Sequence, residues 1–269
     1  MWIIWILQSF LNATWIVLTK KVVENKKIWN NWQTLISRTT HSLILIAIFS
    51  LGFLEFEIPK QEINLYNIWL LIVATTALYV TYPLRRNAYA NEKVSVLQPF
   101  AMLFQVFPII IGFIFITSER LNTITFITAL IASIVVIWSS IDYKNFKINK
   151  WCLMVLISSI IKSTQIFAII YFLTILSPAS LYFTESILVV IFSITLILIK
   201  KELTEIKLLT KKYTKLLISS NFIVVTSILL VLTLYNGLWV VATSLLSLLY
   251  LVFVYILWYF ILKEIPNKK

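Results

Sequence analysis

The chain has 269 residues, 60% of them hydrophobic and 13% charged, with a formal net charge of +12 and a mean hydropathy of +0.93. So few polar residues cannot cover a water-soluble core, and the composition predicts an all-α polytopic membrane protein. The basic residues fall in short clusters between apolar spans, as in cytoplasmic loops, which excludes nucleic acid as a partner and makes the lipid bilayer one.

Nine apolar windows of helical length follow one another, at roughly 2–19, 34–54, 67–84, 94–117, 123–141, 151–175, 180–199, 216–235 and 238–262. The first begins at Met1-Trp2 without a basic leader, so no cleavable signal peptide is expected. It carries Gln8 and Asn12, four apart and so on one helix face. The second holds Arg38 and His41, with Arg38 expected to snorkel to the headgroups. In the third, Tyr79 and Tyr82 read as packing residues, and Arg85-Arg86 as the start of the following loop. The fourth, continuing to 122, is the most unusual: Gln98, Pro99, Gln105 and Pro108 interrupt an apolar pattern where lipid alone would not ask for them. It closes on Ser118-Glu119-Arg120-Leu121-Asn122. The sixth carries Lys162 and Gln165 on one face, and the seventh carries Glu185. The connection 200–215, KKELTEIKLLTKKYTK, is a basic stretch suited to the anionic cytoplasmic surface.

The basic residues set an orientation. Lys20, Lys21, Lys26 and Lys27, then Arg85, Arg86 and Lys93, and the later clusters up to Lys269 all follow odd-numbered spans. Only Lys60 and Arg120 fall on the opposite side. Nine spans with this asymmetry put the N-terminus outside and the C-terminus in the cytoplasm.

The chain also repeats weakly. A shift of 150 sets Ser9, Asn12 and Thr14 on Ser159, Lys162 and Thr164; one of 145 sets Glu119-Arg120-Leu121-Asn122 on Glu264-Ile265-Pro266-Asn267; one of 144 sets His41-Ser42 on Glu185-Ser186. A near-constant offset in preserved order predicts two copies, 1–145 and 146–269. Five helices per copy is an odd number, so the copies enter the membrane in opposite directions, giving nine transmembrane helices as inverted repeats of five and four. The second copy stops before a counterpart of the fifth span, which leaves as expectations a truncated product or a true nine-helix form completed by a partner, with a homodimer as the other association.

The run Ala88-Tyr89, Val94-Ser95-Val96-Leu97-Gln98-Pro99-Phe100, Pro108-Ile109-Ile110-Ile111-Gly112 and Glu119-Arg120-Leu121 resembles the EamA-like branch of the drug/metabolite transporter superfamily. That pattern has an Ala-containing turn, a Ser-x-x-x-Pro helix start, a second Pro, a Gly and a closing Glu-Arg-Leu. Arg38 matches an arginine often found near the start of the second helix. The resemblance covers essentially the whole chain, most clearly 85–140. It implies ten helices in two inverted halves that carry small metabolites, often exporting amino acids, across the cytoplasmic membrane. The chain departs from that pattern in the wider Pro99–Pro108 spacing and in having only 3 Gly, so close helix crossings are expected to rest on Ser, Thr and Ala.

Charges deep in a membrane are costly, so each needs a reason. Lys162 lies about 16 Å from the inner end of its span at 1.5 Å of rise per residue, and its repeat mate Asn12 about as far from the outer end. Gln8, Asn12, Gln98, Gln105, Lys162 and Gln165 are therefore the candidate substrate-binding residues, expected to line a polar cavity between helices 1, 4 and 6. Glu185 is the candidate for proton coupling. The competing reading makes these groups interhelical hydrogen bonds, and makes Lys162 and Glu185 a structural ion pair. Asp142 is the only aspartate, His41 the only histidine and Cys152 the only cysteine, which argues against an enzyme, a metal site or a cofactor. The expected function is a secondary carrier or exporter of a small amino-acid-like, anionic or zwitterionic metabolite. The rivals are a flippase for a lipid-linked intermediate and a membrane partner protein that transports nothing.

Overall fold

In a bilayer every backbone N–H and C=O must be satisfied within the protein, and a chain this apolar can do so with helices. The computed structural model describes residues 2–23, 30–57, 64–115, 123–139, 148–202, 211–237, 250–257 and 260, and contains no strand among them. The helices are α1 (Trp2–Val23), α2 (Asn30–Ser50), α3 (Leu65–Asn91), α4 (Val94–Phe115), α5 (Thr123–Ser139), α6 (Lys150–Leu173), α7 (Pro178–Ile199), α8 (Lys211–Gly237) and the short α9 (Tyr250–Leu257). Three of them, α3, α6 and α7, are long and apolar enough to cross a membrane.

Local chemistry sets several helix ends. Asn64 caps α3 by accepting from the Asn67 N–H, and Asn149 caps α6 by accepting from the N–H groups of Trp151 and Cys152. Ser177 caps α7, with Pro178 in the first turn, where its missing N–H costs nothing. At the other end of α7, Lys201 adopts a left-handed φ of 56°, and Glu202 next to it packs against the start of α2.

One boundary differs from the sequence expectation. The apolar pattern ends near 84, just past Pro83, yet α3 continues to Asn91. A proline inside a helix removes one backbone bond, here to the Tyr79 carbonyl, and need not end the helix when the next turn finds partners. Those partners exist: Arg85 donates to Ser158 and Ser159 of α6, and Arg86 to Thr34 of α2. The pair is therefore part of a helix wall, not of a loop. The end of α3 is tied to α6 through Asn149, whose amide donates to Glu92 at 2.6 Å. Similarly, Lys211–Lys215 of the expected basic connection belong to α8.

The principal packing partners are α3 with α6, α2 with α7, α4 with α6, α1 with α8, and α1 with α9. One apolar cluster joins Ala13 and Val17 of α1, Leu97 and Ala101 of α4, Val155 of α6 and Val254 of α9. Another joins Leu45 of α2, Ile166 of α6, Leu181 and Tyr182 of α7, and Val225 of α8. Small residues stand at the close crossings, as expected in a chain with little glycine: Ala88 of α3 and Ser158, Ser159 and Ser163 of α6 are all buried. Large apolar side chains point outward instead, among them Val73 and Val80 of α3, Ile157 and Ile160 of α6, and Ile191, Ile194 and Leu198 of α7. An apolar exterior over a partly polar interior is stable in lipid and unfavourable in water.

Candidate functional site

Between the helices, α1, α2, α3, α6, α7 and α8 line a cavity of about 230 Å³. Four cationic side chains reach its wall, Arg38, Arg85, Arg86 and Lys162, together with the carboxylate of Glu185.

Arg38 is the most constrained of these. Only 5% of its surface is exposed. Its guanidinium lies 5.1 Å from the Tyr82 ring centre and 5.4 Å from that of Tyr182, between α3 and α7. Such contacts hold a guanidinium in place without consuming its N–H donors. One of those donors reaches the Ser186 hydroxyl at 3.3 Å. Tyr82 also faces Arg86, at 5.6 Å, so one ring serves two guanidiniums.

Behind Arg38, His41 joins three helices. The Tyr182 hydroxyl lies 2.8 Å from Nδ1, and Nε2 lies 3.1 Å from Oδ1 of Asn221 on α8. With the Asn221 amide oxygen toward the ring, as placed here, Nε2 carries the proton and Tyr182 donates to Nδ1. The same Asn221 oxygen accepts from Ser37 at 2.6 Å. Asn221 is 2% exposed, and its Nδ2 has no hydrogen-bond partner among the described residues.

On the opposite side, Gln165 donates to Glu185 at 3.3 Å, linking α6 to α7. Lys162 sits with its ammonium 6.0 Å from the Trp15 ring. Arg85 is held by a cradle of two serines: Nε donates to Ser158 at 2.9 Å and Nη2 to Ser159 at 3.2 Å.

Of the candidates read from the sequence, Gln8, Asn12, Lys162, Gln165 and Glu185 all lie on this cavity. Gln98 is fully buried but stands on α4, which contributes none of the described lining residues. Among the described residues the wall is formed by α1, α6 and four other helices, α2, α3, α7 and α8, while α4 packs against α6, where Ser159 donates to the Phe100 carbonyl. Gln105 is on α4, and its side chain lies outside the described residues. Arg38 does not extend outward from the bundle; it is buried between two tyrosine faces. Arg85, Arg86, Tyr182 and Asn221 escaped the sequence reading. Two arginines straight after an apolar run look like a loop, and nothing but folding shows that the helix carries them inward.

No family model matches the chain, and no curated protein matches it. A solved structure described only as the crystal structure of a protein is similar, with a TM-score of 0.66 over 97% of this chain and 90% of that one, at 12% identity. At that identity the likeness concerns the fold alone. The all-helical architecture, the apolar exterior and three helices able to cross a membrane define a helical membrane protein.

Proposed function

We propose that the chain is a secondary carrier of a small metabolite, an amino acid or a related anionic or zwitterionic compound, working by alternating access in the cytoplasmic membrane. The observation that carries this reading is the cavity of about 230 Å³, whose largely apolar wall carries amide and charged side chains inside an apolar exterior. Ionisable groups within a membrane are expensive and concentrate along substrate and proton paths. The volume is below the ~300–1,000 Å³ of drug-sized pockets, which favours a small metabolite over a lipid-linked intermediate. In this reading Gln8, Asn12, Lys162 and Gln165 contact substrate, and Glu185 exchanges the coupling proton.

The packing supports the inverted repeat. Exchanging α1 with α6, α2 with α7, α3 with α8 and α4 with α9 turns the contact of α3 with α6 into that of α8 with α1. It turns α4 with α6 into α9 with α1, and α2 with α8 into α7 with α3. The pair α2 with α7 maps onto itself, and residues 38–42 face 182–186, the segments that the offset of 144 equates. Two-copy symmetry with its site on the axis is the arrangement that alternating-access carriers use. Nine spans, an outside N-terminus and the resemblance to the EamA-like branch belong to the same proposal.

The test is flux in proteoliposomes across a panel of labelled amino acids and organic anions. The wild type is expected to move at least one of them, and Lys162→Ala and Glu185→Gln to reduce that flux while remaining folded. A folded protein that moves none of the panel, or variants that transport at the wild-type rate, would refute the carrier reading. Lipid-headgroup translocation in the same vesicles would put the flippase in its place.

A further inference from the structure

We propose that the cavity is built for a doubly charged anion, a small organic molecule with two carboxylates or a phosphate monoester, and not for a zwitterion. The inference rests on the carrier reading for its biological setting, but its observations concern binding alone. The described wall carries the cations Arg38, Arg85, Arg86 and Lys162 against the single carboxylate Glu185. Four minus one leaves a formal excess of three positive charges, and a zwitterion would leave that excess unchanged. A dianion lowers it to one, and in a low-dielectric interior that difference is large.

Two buried donors on the wall mark a place for one of the two anionic groups. Arg38 is 5% exposed and is held between two tyrosine rings. Of its five N–H donors, the described hydrogen bond uses one, on Ser186. Across the His41 bridge, the buried Nδ2 of Asn221 is a donor with no partner among the described residues. Both side chains line the cavity. An oxyanion accepting from the Arg38 fork and the Asn221 amide would satisfy both, by the planar, two-pronged recognition at which arginine excels. The second anionic group would then meet Arg85, Arg86 and Lys162, whose charges are contributed by α3 and α6. Glu185, already accepting from Gln165, disfavours a larger anionic load.

The experiment is thermal stabilisation of the purified protein in detergent, titrated with succinate, glycerol phosphate, alanine and choline at fixed ionic strength. Succinate or glycerol phosphate is expected to raise the melting temperature saturably, and the stronger of the two identifies the anionic group. Alanine and choline are expected to have no saturable effect. Arg38→Lys keeps the charge but loses the fork, and should weaken dianion binding about tenfold or more. Should that variant fail to fold, Lys162→Gln is expected to weaken it by about the same factor. Alanine or choline stabilising as well as the dianions, stabilisation by neither dianion, or unchanged affinity in the folded variant would overturn the proposal. Saturable dianion binding without flux in vesicles would remove the carrier reading and leave this inference standing; flux of alanine without dianion binding would do the reverse.

Discussion

The cradle that holds Arg85 gives the sharpest test of how the site is assembled. Each serine hydroxyl has a single hydrogen, and both are already committed: Ser158 donates to the Val155 carbonyl at 2.8 Å, and Ser159 to the Phe100 carbonyl at 3.2 Å. Their lone pairs are therefore turned toward the guanidinium, which donates to each. Replacing both by alanine removes three bonds between helices, two from α3 to α6 and one from α6 to α4. Interhelical hydrogen bonds in membrane proteins average about 0.6 kcal/mol and reach about 1.7. The charged donor places two of these three in the upper part of that range, so Ser158→Ala/Ser159→Ala should cost about 2–4 kcal/mol. Because both hydroxyls hold one group, the single substitutions should sum to a value differing from the double by about 0.5 kcal/mol or more. Ser42→Ala is the control: its hydroxyl donates to the Arg38 carbonyl one turn back in the same helix, so the cost should stay within about 0.5 kcal/mol. Reversible unfolding by denaturing detergent in mixed micelles, followed by far-UV circular dichroism, measures these four variants against the wild type. A double variant no less stable than Ser42→Ala would show that the cradle holds nothing, and that Arg85 reaches the cavity for another reason.

Three further predictions concern separate parts of the molecule. Where α7 ends, Asn31 accepts from Tyr79 at 2.7 Å and donates to both Glu202 oxygens at 3.2 and 3.0 Å, so Tyr79→Phe and Glu202→Gln should each destabilise by about 1–2 kcal/mol. Additive effects in the double variant, seen by the same unfolding assay, would refute the link through Asn31. His41 is the only histidine, so nitrogen-15 NMR of histidine-labelled protein reads one imidazole; the native ring should carry its proton on Nε2, and Tyr182→Phe should shift the Nδ1 resonance as it loses its donor. A proton on Nδ1 in the native protein would reverse the assigned roles. Finally, cysteines introduced at the exposed positions Glu55 and Lys200 should label with an impermeant maleimide from opposite sides, Glu55 from outside and Lys200 only after the inner face is opened. Native Cys152 is buried and should contribute little background, and labelling of both sites from one side would refute the orientation.

The sequence made the helices legible because the apolar windows are long and polar residues punctuate them. The windows 94–117 and 180–199 fall within two or three residues of α4 and α7. Isolated polar residues deep in a window were also informative: Lys162, Gln165, Glu185, Gln8 and Asn12 were singled out by depth and helix face, and they share one cavity. Depth cannot say which helices are neighbours, and that is why the sequence groups Gln98 with them. It is fully buried, more so than Asn12 or Lys162, but on a helix that packs against α6 and contributes no described lining residue.

The arginines show where sequence reasoning reaches its limit. A charge count treats Arg85-Arg86 as topology, because an arginine pair after an apolar run commonly stays in the cytoplasm. Folding gives the same pair a second role: α3 runs on past Pro83, the α6 serines and Thr34 receive the guanidiniums, and both side chains reach the cavity. The two roles are compatible in the proposed orientation, where the first turns of α2 and the last turns of α3 face the cytoplasm. There a basic helix end can both resist translocation and supply the positive field that an anion would enter. Arg38 deepens that field from α2, and Tyr82, facing both Arg38 and Arg86, joins the helix end to the buried anchor. A substitution that removes the ring but spares the charges, Tyr82→Leu, should therefore weaken the dianion's hold about as much as Arg38→Lys does. If binding survives Tyr82→Leu unchanged, the guanidiniums are positioned by their serine and threonine partners alone, and the aromatic link between them carries no function.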